Sequence, residues 1–564
     1  MSGPCVIGLD FGTSSARAIV ARISDGAIIA SATFDYPSGT AGVITSATDA
    51  NLARQHPGDY LAAIDALLGQ VACKAAASID IASIVGIGVD ATASTPIPVD
   101  AALRPLALDA AFAGDPDALA HLWKDHTAHA EAVQITAELT RSAPAHLARC
   151  GMTYSSEWFW SKILRVARTN QRVARAAATW VEQSDYIPAV LAGLSDAATM
   201  PRNVCAAGHK ALYAADLGGY PPVAVLERLH PALAGVRESC AVPAVTSTTP
   251  IGTLTAPLAA RCGLSPRVVI AAGGIDAHLG AIGSGVRAGS MVKIMGTSTC
   301  DILIAEAGSS LDIPGVCGVV DGSVVPGCLG IEAGQSAVGD LFDWFVRHVA
   351  RSGSDAAAIA RTHEELTREA ARLAPGASGL VALDWNNGNR CVLVDPLLSG
   401  VLIGQTLHTT AAEIYRALIE ATAFGARTII DRLAEQGTAL DTIIVCGGIA
   451  EKNPLAMQIY ADAIGRPMHV AESSQACALG GAICAAVAAG AHPDMPAAIA
   501  AMTRPPSRVL VPNPAATRVY DELFAVYSAL HDAFGRGHSA MDLRTAMKQL
   551  IAISRQARAA GMPS

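Results

Sequence analysis

At 564 residues the chain is too long for a single hydrophobic core, so two or more domains are expected. With 51% apolar and 16% charged residues it buries ample surface, which excludes a disordered chain. The net charge of −9, with Lys and Arg dispersed and no basic stripe, excludes nucleic acid as a partner. Mean hydropathy of +0.36 raises the membrane question. Its least charged stretch, residues 473–493, is Ala- and Gly-rich, with no sustained Leu/Ile/Val/Phe block and no basic flanks. A buried helix of a soluble protein is expected there, and no membrane partner. The N-terminus lacks a basic region and soon reaches Asp10, so no secretory signal is expected. Thirteen cysteines without a C-x-x-C pair suggest the reduced thiols of a cytoplasmic protein.

In chain order, an apolar run (residues 6–9) leads to Asp10 and then Gly12-Thr13-Ser14-Ser15 and Arg17. Gly8 and Gly12 are four apart and no third glycine follows, so this is not the G-x-G-x-x-G turn that opens a helix in dinucleotide folds. A second apolar run, Asp25-Gly26 and a third run follow, giving strand, turn, strand. Residues 57–76 carry Leu61, Ile64, Leu67, Leu68 and Val71 at helical spacing behind Pro57. Residues 84–95 form a buried strand ending at Asp90 and a loop of small residues. Pro and Gly interrupt residues 100–250, which mix helices and loops. Residues 267–285 give a strand, Gly273-Gly274, Asp276 and a helix.

The second half repeats this grammar. Residues 291–308 form a strand, Gly296-Thr297-Ser298-Thr299 and a strand. A helix over 410–437 starts on a Thr410/Glu413 capping box and stops at Gly437. Residues 441–454 form a strand, Gly447-Gly448 and a helix start. The expectation is two related α/β domains, residues 1–286 and 287–505, each with a hydroxyl-bearing turn facing the other. A helical extension over 506–564 follows.

Two such turns suit a polyphosphate. Glycine lets the backbone approach oxygen atoms, and successive N–H and hydroxyl groups solvate the charge. A carboxylate at Asp10 would repel phosphate unless a cation lay between, and water-mediated Mg²⁺ fits that geometry. Each turn alone is an ordinary polar loop; their recurrence favours phosphate. His126, His129 and Glu131 lack a further ligand at metal spacing and are expected on a polar helix face.

The segment from Asp10 to Arg17, the Gly296–Thr299 turn and residues 446–454 (CGGIAEKNP) resemble the FGGY family of sugar kinases, within the actin-like (ribonuclease H-like) ATPase superfamily. Residues 86–96, 122–128, 154–164, 206–210 and 331–337 resemble its ketopentose-phosphorylating members. The resemblance runs over about residues 6–505. It implies two α/β domains flanking a cleft that closes on ATP, Mg²⁺ and a ketopentose, with L-ribulose converted to L-ribulose 5-phosphate. It implies Asp276 as general base and Asp10 as holder of the magnesium nucleotide. Asp276 by itself could equally be a helix-start residue, and Asp90 is left outside the catalytic set. Ala93, Trp123, Lys210 and Glu332 are implied to contact the sugar. Gly12, Thr13, Ser14, Ser15, Arg17, Gly296 and Thr297 are implied at the phosphates, and Gly334, Gly447, Gly448 and Asn453 at adenosine. Members of the family often form homodimers. The alternatives are a kinase of D-ribulose, xylulose or ribitol, and an actin-like ATPase binding machine. A chaperone of that class would need a peptide-binding module after the ATPase, where only residues 506–564 remain.

Overall fold

The computed structural model describes residues 3–306, 313–353, 355–473, 475–537 and 543–559. Residues 307–308 of the second hairpin stretch, residue 474, and residues 538–542 and 560–564 of the tail lie outside the described residues. The first sheet has seven strands: β1 (Cys5–Phe11), β2 (Ser15–Arg22), β3 (Ile28–Asp35), β4 (Ile84–Ala91), β5 (Pro250–Thr253), β6 (Val269–Ala271) and β7 (Gly274–Ile275). Their order is β5-β6-β4-β1-β2-β3, with β7 also on β4. β1 is buried along its whole length, so it reads as a continuous apolar run, broken only by glycine and Asp10. Helix α1 (Pro57–Ala75) covers one face with Tyr60, Ile64, Leu67, Leu68 and Val71.

Between the strands of this sheet the chain makes a helical insertion that includes α2 (Val204–Ala211), capped by the Asn203 side chain. α3 (Asp276–Gly283) follows β7 directly. The second sheet also has seven strands: β8 (Ser290–Met295), β9 (Thr299–Glu306), β10 (Gly318–Asp321), β11 (Cys328–Ala333), β12 (Thr442–Cys446), β13 (Met468–Val470) and β14 (Arg508–Leu510). Their order is β10-β11-β9-β8-β12-β13-β14. The two paths superpose. In each, a central strand (β1, β8) has an antiparallel hairpin partner on one side (β2, β9). On the other side lie two successive parallel neighbours (β4 and β6; β12 and β13) and an antiparallel edge strand (β5, β14).

Residues 506–564 were expected to be helical, yet this segment opens with β14. The reason is local. Arg508–Leu510 stands between Pro505-Pro506 and Pro512, and residues preceding proline are pushed out of the helical region. Helices α4 (Ala411–Glu435), α5 (Gly448–Lys452), α6 (Pro454–Ile464), α7 (Ala476–Ala488), α8 (Pro514–Gly535) and α9 (Leu543–Ala559) complete the second half. The Thr410/Glu413 capping box of α4 forms with both of its bonds.

The helical insertion (residues from Leu106 to Cys240) shares one continuous core with the second sheet and its helices. The low-charge stretch is α7, buried where it packs on β1, β4 and α3. Among the described residues no helix is long and apolar enough to cross a membrane. The small side chains of this stretch have a packing cause. A Cβ on Gly8 would lie 1.8 Å from the Ala478 carbonyl oxygen, and one on Gly88 1.9 Å from that of Gly481. One on Gly480 would lie 1.8 Å from the carbonyl oxygen of Leu279. Backbone meets backbone at this joint, which is why the region is rich in Gly and Ala without being a membrane span.

Candidate active site

Asp10 is the penultimate residue of β1 and stands in register with Asp90 of β4. Asp90 in turn is opposite Gly274 of β7, two residues before Asp276, the first residue of α3. Three carboxyls thus gather at the C-terminal ends of adjacent strands, where open α/β sheets bind their ligands. Asp90 is fully buried, and among the described residues neither of its oxygens finds a hydrogen-bond donor. Burial, then Asp10 and Asp276, hold its carboxyl well above the usual range. Burial also raises Asp10, partly offset by Asp90 and by the Arg17 guanidinium 3.5 Å away. Burial and the neighbouring Asp10 push Asp276 up to about 7.

Such a group cannot ionise fully without a cation to join it. Ligand atoms of Asp10, Asp90 and Cys477 lie within 4.8 Å of one another. Carboxylate oxygens suit a hard divalent ion such as Mg²⁺. The Cys477 thiol, raised well above its ordinary value by burial, is a soft and protonated neighbour that does not. The fit therefore rests on the two aspartates. Asp90 was passed over in the sequence as a strand-end residue. Its signal was pairing register, which brings it beside Asp10 across 80 residues of chain.

The first turn, Gly12 to Ser14, joins β1 to β2, with Ser15 and Arg17 already on β2. Gln55 Nε2 donates to the carbonyls of Gly12 (3.3 Å) and Thr13 (2.7 Å), and Tyr60 donates to Gln55 Oε1, fixing the amide. The second turn, Gly296 to Ser298, joins β8 to β9. Its carbonyls are also occupied: Gly339 N–H donates to Gly296, and Val338 and Asp340 N–H donate to Thr297. With carbonyls committed, what both turns have left to offer an anion is donors. Trp123 Nε1 donates to Thr13 Oγ1 at 3.0 Å, which leaves the threonine proton free to donate onward. Lys124, next to Trp123, lies within electrostatic reach of Asp340, next to the second turn.

A buried frame supports the first turn. Lys162 Nζ donates to the carbonyls of Ser94 (2.7 Å) and Leu122 (2.9 Å), so one ammonium holds the Ala93 loop to the Trp123 loop. Asp125 pairs with Arg54 and accepts from Ala53 N–H at 2.8 Å. Glu182 accepts from Ser94 Oγ and from Thr95 N–H. None of these is recognisable from local sequence, because each partner lies tens of residues away.

Lys210, at the end of α2, donates to both oxygens of Glu332 on β11, at 2.8 and 2.9 Å. Burial alone would raise Glu332, but the Lys210 ammonium, bonded to both of its oxygens, holds it well below the usual carboxylate range. Asp276 feels both Lys210 and Glu332, so this pair adjoins the carboxyl cluster. Ala93 packs against Cys205, Ala206 and Ile275, at the same junction.

The remaining positions divide. Gly447 has φ +96 and caps the start of α5, and Gly448 is exposed, with no atom of the described residues within 4 Å of a Cβ there. Asn453 accepts from Ala456 N–H at 3.0 Å as the cap of α6, so only its amide NH₂ is left to donate. Gly334 is buried, and a Cβ there would lie 2.1 Å from the Thr299 carbonyl oxygen, so packing alone explains the glycine.

Residues 5–283 match the N-terminal domain of the FGGY family of carbohydrate kinases, and residues 291–489 match its C-terminal domain. The chain belongs to this family. Its members are kinases that transfer phosphate to a carbohydrate from ATP, and this chain is one of them. Among curated relatives of this FGGY kinase, the ribulokinase of Mycolicibacterium smegmatis is 41% identical over 549 residues, covering 95% of both chains. The ribulokinase of Vibrio parahaemolyticus is 39% identical over 544 residues, covering 93% of this chain and 95% of the relative. Among solved structures, xylulose kinase from Rhodospirillum rubrum superposes with TM-score 0.76 at 24% identity, covering 94% of this chain and 98% of that one. Plasmodium falciparum glycerol kinase with ADP superposes with TM-score 0.70 at 15% identity, covering 100% and 99%. These likenesses show the FGGY sugar-kinase fold.

Proposed function

We propose that the chain phosphorylates a ketopentose, L-ribulose, at its fifth-carbon hydroxyl with ATP, giving L-ribulose 5-phosphate. The observation that carries this reading is the raised carboxyl of Asp276, set between the Asp10–Asp90 pair and the Lys210–Glu332 pair. Similarity over nearly the whole chain to proteins named ribulokinase supports the choice of sugar. In this reading residues 1–286 supply most of the sugar seat and the first turn, residues 287–505 supply the nucleotide seat, and residues 506–564 are an extension. Ala93, Trp123, Lys210 and Glu332 orient the open-chain sugar. Gly447, Gly448 and the free amide of Asn453 receive adenosine, with Gly334 nearby. Thr13, Ser14, Ser15, Arg17, Gly296 and Thr297 receive the phosphates. Asp10, through water, and Asp90 hold Mg²⁺, which when bound supplies charge neutralisation between carboxylates and phosphates.

Asp276 accepts the proton of the attacking hydroxyl as its oxygen bonds to the γ-phosphorus. ADP leaves from the opposite side in line. Little covalent work falls to the protein; positioning and electrostatics dominate. The reading includes a cytoplasmic enzyme and a homodimer, whose mass light scattering reports.

Two results are expected. In a coupled ADP-release assay over L-ribulose, D-ribulose, xylulose, ribitol, arabitol and glycerol, L-ribulose has the highest kcat/KM; a preference for xylulose or glycerol would overturn the sugar assignment. The second concerns pH. A base titrating at about 7 is protonated and idle below that value, so kcat/KM rises about tenfold per pH unit up to about pH 7 and then levels off. A flat profile across that range would remove Asp276 from the role of base.

A further inference from the structure

Glu332 is flanked by more than its lysine. His209 Nδ1 lies 3.5 Å and His278 Nε2 lies 3.6 Å from the same carboxylate oxygen, Oε2. Both rings are fully buried, and their centroids are 4.3 Å apart. Among the described residues, His209 Nδ1 and both His278 nitrogens have no hydrogen-bond partner, an unusual state for buried polar atoms. The separations fall just outside hydrogen-bonding range, so a shift of a few tenths of an ångström in Glu332 would close either bond.

The backbone is cleared for this arrangement. Gly318 of β10 is the cross-strand partner of Glu332, and a Cβ there would lie 2.2 Å from His209 Nδ1. The His209 ring thus occupies the place a side chain opposite Glu332 would take. On its far side, His209 Nε2 is 3.0 Å from Ser323 Oγ. A carboxylate repels a bare nitrogen lone pair, so the favourable tautomers are Nδ1–H on His209 and Nε2–H on His278; Ser323 then turns its single proton from the Val320 carbonyl, 3.1 Å away, to His209 Nε2. Burial keeps both imidazoles neutral, and His278 is lowered to about 4. They are therefore dipolar donors and do not compete with Lys210 as charges. The elements come from both halves: α2 and α3 from the first, β11 and the turn after β10 from the second.

We propose that His209 and His278 are positioning residues that bracket the Glu332 carboxylate, fix the direction of its free lone pairs, and thereby set recognition of the ketose hydroxyls. The proposal rests on Glu332 contacting the sugar, as read above. Neither histidine touches the reacting atoms. Both act through Glu332, and their loss is felt in ketose binding rather than in chemistry or in ATP binding.

The geometry predicts a crossed pattern of conservative replacements. An asparagine amide reaches the place of a histidine Nδ1, and a glutamine amide reaches that of Nε2. His209→Asn therefore keeps the donor and His209→Gln loses it, whereas His278→Gln keeps it and His278→Asn loses it. The experiment measures kcat and KM for L-ribulose and for ATP in these four variants, in Glu332→Gln, and in Glu332→Gln combined with His278→Asn. Expected are KM values for ketose raised ~10-fold or more in His209→Gln and His278→Asn, smaller rises in the donor-keeping variants, and kcat and the KM for ATP within about twofold. Adding His278→Asn to Glu332→Gln should change nothing further. Should the ring replacements fail to fold, Ser323→Ala, which removes the outer support of His209 together with the hydroxyl's bond to the Val320 carbonyl, is expected to raise the ketose KM ~3-fold. If Glu332→Gln raises the ketose KM but the histidine and serine variants do not, or do so equally for Asn and Gln, the bracket is overturned and the sugar seat stands. If Glu332→Gln leaves the ketose KM unchanged, both fall together.

Discussion

Replacing Asp276 with alanine is expected to lower kcat by ~10²–10⁴-fold while leaving the dissociation constant for ATP nearly unchanged. The side chain stands at the first position of α3, accepts among the described residues only from its neighbour Ala277 N–H (2.6 Å), and keeps part of its surface exposed. Its work is to take one proton at the moment the hydroxyl attacks, an interaction absent from nucleotide binding, so the loss belongs to the chemical step. Removing Asp276 also takes away one of the charges that hold the Asp90 carboxyl up, so Asp90 ionises more readily and the nucleotide side does not lose by it. Single-turnover phosphoryl transfer, with calorimetric titration of ATP alongside, separates the two quantities. Normal turnover in the variant would withdraw the assignment of the base. A parallel collapse of ATP affinity would make Asp276 a nucleotide ligand instead.

Replacing Gly480 with alanine or valine is expected to be strongly destabilising. The added carbon would lie 1.8 Å from the Leu279 carbonyl oxygen, a backbone atom of α3 that cannot rotate away. Two helices must then part, and the cost sits at the upper end of the ~1–3 kcal/mol typical of overpacking, or above it for valine. The control is Gly69 in the middle of α1, where no atom of the described residues lies within 4 Å of a Cβ. Gly69→Ala is expected to stabilise by ~0.5–1 kcal/mol, since helix interiors favour alanine. Thermal unfolding of the two variants should move in opposite directions. A Gly480→Ala midpoint equal to that of the unchanged chain would show that α3 and α7 are not held as closely as described.

What could be foreseen from the amino-acid order was whatever depends on neighbours in the chain. The two hairpins were legible because their apolar runs are short and end in turn residues. α4 was legible because its capping box and stop are local. Asp276 could be set at a helix start because Gly273-Gly274 announces the end of a strand. The two halves could be matched by the order of their elements, although the full correspondence of their sheets, down to the antiparallel edge strands, needed coordinates.

What escaped was everything decided by register or by distant partners. Asp90 looks like any strand-end aspartate until β4 is aligned with β1. Gln55 is an unremarked polar residue until it closes on the carbonyls of Gly12 and Thr13. His209 and His278, 69 positions apart, meet only because α2 and α3 converge on β11. The segment at 508–510 was swept into a helical tail because three residues are too few to show a period, while the sheet edge that recruits them is remote in sequence.

The glycine joint has a mechanical consequence. Where α7 lies against α3, β1 and β4, main chain meets main chain at Gly8, Gly88 and Gly480, and Val6, Leu279, Ile282, Leu479 and Ile483 fill the space beside it. Contacts this close can neither stretch nor compress without losing their fit, so any larger movement of the chain must carry α7, α3, β1 and β4 together as one body.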